Sequence, residues 1–475
     1  MASITHSTRP ARAQAPAREL TDRLLREAHA AHAQGLGHGV EAALDRATAA
    51  ALGDADACAA LGDFCARIEQ PARAFAAYDR ALALRPEHAV LWFNRAAVRR
   101  FLGQLAEAEA DYDRCIALNP GDAQAHLNRS ELRVQTSERN HVDVIRARLE
   151  VRPLDWLSEV QLRYALAKEL EDLGAYAEAW QQLEAGARLR RRHLKYDPRR
   201  DLETADWLMA AFPHGAPAHV GHSARAAIFI LGMPRTGSTL VDRMLGSHTQ
   251  VRSAGEMLHF GNAVVDAART VLGAERGTGA TRRALIAASA QADFAALGRD
   301  YMRRARAGAG DSPRFTDKLP LNYLYCAHIA AALPQAAMVH VTRHPLATCY
   351  GVYKVLFDQG YPFSYDLDEI ADHYVAYRRL MDHWRATLGG RLLEVSYEDV
   401  VADPRGQCAR MLASLDLPWE EACVAFHRNP APATTASASQ VRRPLYTDAL
   451  HRWRHYADAL APVRRRLEAA GIDCA

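Results

Sequence analysis

The stretch best equipped for chemistry is Gly232-Met233-Pro234-Arg235-Thr236-Gly237-Ser238-Thr239. It follows Ala226-Ala227-Ile228-Phe229-Ile230-Leu231, an apolar run with the character of a buried parallel strand. After it comes Leu240-Val241-Asp242-Arg243-Met244-Leu245, where an amphipathic helix is expected to begin. Strand, glycine-bearing loop and helix start together build an anion cradle. Amide groups at the helix N-terminus point at the ligand, and the helix dipole favours negative charge. The loop lacks the G-x-x-x-x-G-K-[ST] pattern of a Walker A motif, and Arg235 offers the cation instead. No obvious magnesium-holding carboxylate follows, which argues against an ATP- or GTP-hydrolysing site, where the metal is central, and the missing loop lysine argues against a nucleotide kinase. Taken alone, such a loop is more often a plain turn; the segments downstream change that balance.

A second strand-like run, Ala337-Met338-Val339-His340-Val341-Thr342, ends at Arg343-His344-Pro345. A third, Leu392-Leu393-Glu394-Val395, leads into Ser396-Tyr397-Glu398-Asp399. Pro234 to Thr239 after a strand resembles the 5′-phosphosulfate loop of sulfotransferases. Arg343 stands much like the arginine that grips the 3′-phosphate in that superfamily, a task suited to a planar fork that holds two phosphate oxygens at once. Ser396 to Asp399 is similar to the Tyr-Glu-Asp segment near the adenine. Over roughly Ile228 to Ala475 the chain looks like the bacterial tetratricopeptide-repeat sulfotransferases and, more distantly, the tyrosylprotein sulfotransferases.

The resemblance implies roles residue by residue. Glu256, in Ser253-Ala254-Gly255-Glu256, matches the general base of the tyrosylprotein enzymes. Lys318, in Thr316-Asp317-Lys318-Leu319-Pro320, matches their lysine near the transferring group. Arg235 matches the loop arginine, and Ser437 a serine that stabilises the transition state. The donor, 3′-phosphoadenylyl sulfate, is expected to meet Arg235, Thr236, Gly237, Ser238, Thr239, Arg343, Tyr397 and Arg452, with no metal. Arg452 falls where those enzymes carry a lysine. One position departs: the family's serine eight residues after the 3′-phosphate arginine is Gly351 here, with Thr348, Tyr353 or Lys354 available to compensate.

The implied reaction moves a sulfuryl group to a hydroxyl acceptor, with a protein tyrosine among the candidates. It needs alignment, proton removal and charge stabilisation on the bridging oxygen. Each residue has a plainer rival reading: Glu256 as a surface carboxylate, Lys318 in a solvated turn, Arg343 as a helix cap or ion pair, Ser437 as one hydroxyl among several in a small-residue loop. His248, His259 and His344 are alternative bases, though most such histidines are solvated or structural. The competing function is a repeat scaffold whose catalytic half has lost activity, with Gly351 as the feature that favours it.

The first half must position this site or its partners. Tyr78-Asp79-Arg80 returns as Tyr112-Asp113-Arg114, Pro86 as Pro120 and Asn94-Arg95 as Asn128-Arg129, all at an offset of 34. That period resembles the tetratricopeptide repeat, in which helix pairs stack because none buries its apolar face alone. Leu173-Gly174-Ala175-Tyr176 repeats the turn at Leu102-Gly103 off-period, so the repeat between them is irregular. A concave groove would take a peptide or partner protein; a spacer or a dimerisation arm is the alternative, and a homodimer stays open. Asp197-Pro198 and Pro213-His214-Gly215-Ala216-Pro217 mark a linker.

The expected fold class is therefore multidomain. A tail over 1–18 is disordered, 19–197 forms an α-helical repeat solenoid, 198–223 is a linker, and 224–475 is an α/β, P-loop-like domain with a parallel sheet. The 475 residues and a net charge of +3 fit two globular domains and exclude wholesale nucleic-acid binding. The basic side is nearly all arginine; the lysines are Lys168, Lys195, Lys318 and Lys354. The eight cysteines form no CxxC pair, which points to a reducing compartment and a cytoplasmic protein. No apolar run approaches the roughly 20 residues of a membrane span, and 1–18 lacks the apolar core of a secretory signal.

Overall fold

The computed structural model describes residues 15–33, 37–217, 221–273, 277–357, 360–432, 440–445 and 447–475. The chain divides into two compact units, one of residues 1–133 with 430–439, the other of 134–429 with 440–475.

The first unit is helical: α1 (Ala15–Ala33), α2 (Gly37–Ala51), α3 (Ala55–Arg67), α4 (Pro71–Leu84), α5 (Ala89–Leu102), α6 (Leu105–Leu118) and α7 (Ala123–Ser130). Consecutive helices pack as antiparallel pairs, and the 34-residue offset has a structural meaning. Arg95 of α5 reaches Asp79 of α4 at 2.6 Å, and one period later Arg129 of α7 reaches Asp113 of α6 at 2.7 Å. Tyr78 packs so close to α3 that a Cβ on Gly62 would lie 2.7 Å from its ring, so that helix–helix approach requires glycine. Residues 15–18, expected to be disordered, open α1. Leu24, Leu25 and Ala28 of that helix are buried, and this apolar stripe anchors the turn before it. The rest of the expected tail, 1–14, lies outside the described residues.

The second unit begins with helices that the sequence places in the repeat domain: α8 (Val142–Glu150), α9 (Trp156–Asp172) and α10 (Tyr176–Arg192). Their turn at Gly174, with φ of 78°, is the repeat-type turn expected there. Yet α9 and α10 pack on the sheet-bearing unit. Trp180 lies 5.5 Å from Tyr353 and 5.3 Å from Tyr456, and Arg191 pairs with Glu369 at 2.7 Å. The compact division thus falls at 133/134, not at the linker. Within the expected linker, α11 (Arg199–Ala211) forms, because Pro198, with φ of −61°, suits the start of a helix as well as the end of one.

Five parallel strands form the sheet: β1 (Ala227–Leu231), β2 (Val251–Ser253), β3 (Arg314–Lys318), β4 (Ala337–Thr342) and β5 (Leu392–Ser396), in the order β2-β3-β1-β4-β5. All of β1 is buried, as its continuous apolar run requires. Ile228 and Ile230 join Val241, Met244 and Leu245 of α12 (Ser238–Leu245) in one core. Phe229 faces the opposite side, 5.3 Å from both Phe260 of α13 (His259–Leu272) and Tyr301 of the helix Phe294–Ala309. Among the described residues, no helix is long and apolar enough to cross a membrane.

Candidate active site

Parallel strands present their carboxyl ends on one edge of the sheet, where ligands of open α/β sheets bind. The loop with Arg235 leaves β1, Glu256 follows β2, Lys318 ends β3, Arg343 follows β4 and Tyr397 follows β5. Five sequence segments up to 165 residues apart are gathered on that edge by strand pairing alone, through registers such as Ile230 opposite Lys318 and Thr342 opposite Ser396.

The loop is tightly specified. Arg235 holds a left-handed φ of 69°, a conformation that costs energy in a residue with a Cβ. Gly237 has φ of 98°, and a Cβ there would lie 2.4 Å from the Tyr397 ring. Thr236 donates to the Met233 carbonyl at 2.9 Å, and α12 opens at Ser238 and Thr239. The first amides of α12 have no carbonyl one turn earlier to meet, so they face the edge as donors for an anion.

Arg343 knits the surroundings together. It donates to the Arg235 carbonyl at 3.2 Å and to the Ala449 carbonyl, and its guanidinium lies 4.7 Å from the Tyr397 ring centre. Arg235, Gly237, Arg343 and Tyr397 are therefore one contiguous group. Gly351 belongs to it as well: a Cβ there would stand 3.2 Å from the Arg235 Cβ. The absent serine side chain thus leaves room for Arg235. Thr348 donates to the His344 carbonyl at 3.1 Å, the Tyr353 carbonyl accepts from Tyr164, and Lys354 pairs with Glu171.

On the other side of β1, the Lys318 ammonium contacts the Glu256 carboxylate. Backbone pairing carries on past the strand ends, with Ala254 N–H to the Thr316 carbonyl at 3.1 Å and Lys318 N–H to the Gly255 carbonyl at 3.0 Å. The Lys318 side chain is only 1% exposed, so the reading of a solvated turn does not hold. Glu256 keeps 42% exposure and can meet a ligand from solvent.

Two carboxylates here had no signal in the sequence beyond their neighbours. Asp317 is buried and accepts from Tyr301 at 2.9 Å and Asn322 at 3.1 Å; burial pushes its carboxyl up to about 7 despite those bonds and the Lys318 charge. Asp242 of α12 accepts from Ser253 at 2.9 Å and from Thr316, and burial raises it too, against the pull of Lys318. Tyr361 was also missed. Burial, then the Glu256 charge, raises its phenol, which puts it in the field of that carboxylate.

Other candidates stand apart. The His248 ring bonds the Pro418 carbonyl at 3.0 Å, and the His344 ring stacks on Trp453 at 4.6 Å, so both are structural. His259 opens α13. Arg452 pairs with Glu171 at 3.3 Å, three residues beyond the Ala449 carbonyl that takes Arg343. Ser437 lies outside the described residues.

Residues 227–421 match the model of the sulfotransferase family, and residues 63–133 match a tetratricopeptide-repeat model. An uncharacterized protein of Aquifex aeolicus is 29% identical over 309 residues, 63% of this chain and 40% of that one. Protein-tyrosine sulfotransferase A of Caenorhabditis elegans is 24% identical over 266 residues, 50% of this chain and 66% of that one. The protein-tyrosine sulfotransferase of Drosophila melanogaster is 25% identical over 252 residues, 48% of this chain and 46% of that one. The chain thus spans less than two thirds of the length of each of these relatives. Among solved structures, the sulfotransferase domain of the Synechococcus PCC 7002 olefin synthase superposes with a TM-score of 0.39 at 21% identity, over 54% of this chain and 98% of that one. The chain joins tetratricopeptide repeats to a domain of the sulfotransferase family.

Proposed function

We propose that the chain transfers the sulfuryl group of 3′-phosphoadenylyl sulfate to a hydroxyl acceptor. One observation carries this reading: the carboxyl ends of β1 and β4 set Arg235, Gly237, Arg343 and Tyr397 in one group, beside the Glu256–Lys318 pair at the ends of β2 and β3. The donor supplies the activated sulfuryl group. The fit rests on the cradle at Gly237, whose place a Cβ would fill, and on the arginine fork at the end of β4. Arg235, Thr236, Gly237, Ser238 and Thr239 would hold its 5′ side and Arg343 its 3′-phosphate, with Tyr397 and Arg452 completing the binding set and Ser437 assisting transfer.

Glu256 takes the proton from the acceptor hydroxyl as it attacks. Lys318, held in place by burial, and Arg235 stabilise negative charge as it develops. Because Lys318 is buried and paired before reaction, it costs little reorganisation at the transition state. Recognition of a protein acceptor, with a tyrosine side chain as the hydroxyl, falls to the repeat helices α1 to α7 that precede residue 134. The same reading places the protein in the cytoplasm, since all eight cysteines are buried thiols suited to a reducing compartment.

Isothermal titration calorimetry with 3′-phosphoadenosine 5′-phosphate tests the reading. Binding below about 1 mM without magnesium supports it, an affinity worth about 4 kcal/mol. Binding of ATP with magnesium in its place would indicate a kinase. Nucleotide binding with no transfer to any tyrosine peptide, glycan or small alcohol would favour the inactive scaffold.

A further inference from the structure

The donor-site cations have a counter-ion that the family motifs do not contain. Glu171 lies in the last turn of α9, in the helix pair that precedes the sheet, and its side chain is 4% exposed. Its carboxylate accepts from Lys354, from Arg452 at 3.3 Å, from Tyr350 and from Tyr456 at 3.4 Å. A buried carboxylate with two cationic and two phenolic donors is fully satisfied, and each donor is fixed in return.

Those donors come from the elements that frame the proposed donor site. Tyr350 flanks Gly351, the position that packs on Arg235, and Lys354 caps the same helix, Pro345–Tyr353, which starts two residues after Arg343. Arg452 follows Ala449, whose carbonyl holds Arg343. Burial pushes the Lys354 ammonium down, with the Arg452 and Arg235 charges adding to that effect and Glu171 opposing it. Without Glu171, Lys354 would lose the carboxylate it pairs with, and Arg452 would lose its 3.3 Å partner and keep Asp172 at 3.9 Å.

We infer that Glu171 is a positioning residue for the donor: through Lys354 and Arg452 it sets where positive charge stands for the donor's phosphates. This rests on the reading of the site as a donor site. It also makes α9 a working part of the catalytic unit.

The test uses the full chain and calorimetry with 3′-phosphoadenosine 5′-phosphate, alongside the thermal midpoint. Glu171→Gln keeps the shape and removes the charge; it is expected to weaken nucleotide binding about tenfold or more. A purely structural role is separated by Glu171→Gln/Lys354→Gln, which removes the unpaired buried cation. That double variant is expected to regain thermal stability while nucleotide affinity stays low. Recovery of affinity together with stability would overturn the inference, as would a Glu171→Gln affinity within about threefold of the parent. If Glu171→Gln does not fold, Arg452→Gln reads the same contact with Lys354 still paired, and unchanged affinity there counts against it. Failure of the parent chain itself to bind the nucleotide would instead sink the donor reading.

Discussion

Lys318 presses its ammonium against the Glu256 carboxylate across the ends of the neighbouring strands β3 and β2. The pair is asymmetric: the cation is shut away from water and the carboxylate is open to it. Burial fixes the lysine, and the lysine in turn holds the exposed carboxylate in one orientation. A base held in position gains most of its advantage from geometry, since a carboxylate in water is a weak base with a reference pKa of about 4.3.

Glu256→Gln is therefore expected to lower turnover by about 10²–10⁴-fold while nucleotide affinity stays near that of the parent. Transfer rate and calorimetric affinity, measured on the same folded variant, check this. A turnover loss below about threefold would remove Glu256 as the base and leave His259 as the next residue to test.

Arg343→Ala removes the fork that reaches the Arg235 and Ala449 carbonyls and lies against Tyr397. Nucleotide binding should weaken by roughly 2–4 kcal/mol, as for loss of a buried charged contact. Unchanged affinity in a folded variant would place the 3′-phosphate elsewhere.

Gly237→Ala puts a Cβ where the Tyr397 ring already lies, at a φ of 98°. Strain and overlap together should cost about 1–3 kcal/mol of stability and open the cradle. Urea unfolding and nucleotide titration should both register it; a variant with parental values in both would mean that the ring moves aside freely.

Asp317 supplies a pH signature. Burial raises its carboxyl from 3.8 to about 7, so the folded state favours the protonated form. Its contribution to stability is fully present below about pH 4 and is lost as pH rises towards 7. Asp317→Asn removes that titration. Relative to the parent, the variant should gain stability as pH rises from about 4 to 7, read from urea midpoints. A difference that stays constant across that window would show that Asp317 does not titrate there.

The packing of α9 and α10 also locates a boundary. A chain beginning at Val134 is expected to bind the nucleotide and to lose transfer to a protein acceptor. A chain beginning at Pro198 lacks Glu171 and is expected to lose nucleotide binding too. Equal affinity in both shortened chains would mean that α9 is dispensable for the donor.

The sequence by itself determined the local pieces. The apolar run before Gly232, the glycines of the loop and the start of α12 are legible because strand burial, left-handed turns and helix starts are set by residues close in the chain. The 34-residue offset named the repeat, and its Asp79–Arg95 and Asp113–Arg129 pairs recur because one short helix pair dictates the next. Arg235, Glu256, Lys318, Arg343 and Tyr397 could each be nominated from a short segment.

Only the tertiary structure decided what those segments share. Strand order, not spacing, brings five strand ends to one edge, and pairing between distant strands has no local signature. The burial of Lys318, the crowding of Gly351 against Arg235 and the raised Asp317 carboxyl all depend on neighbours supplied by other elements. Helices α9 and α10 read as repeats because their turn is a repeat turn, yet the surface on which they dock is made by Tyr353, Glu369 and Tyr456. Glu171 and Lys354 are 183 residues apart, and their contact depends on how α9 meets the helix Pro345–Tyr353, a choice made by packing free energy rather than by either segment's own pattern.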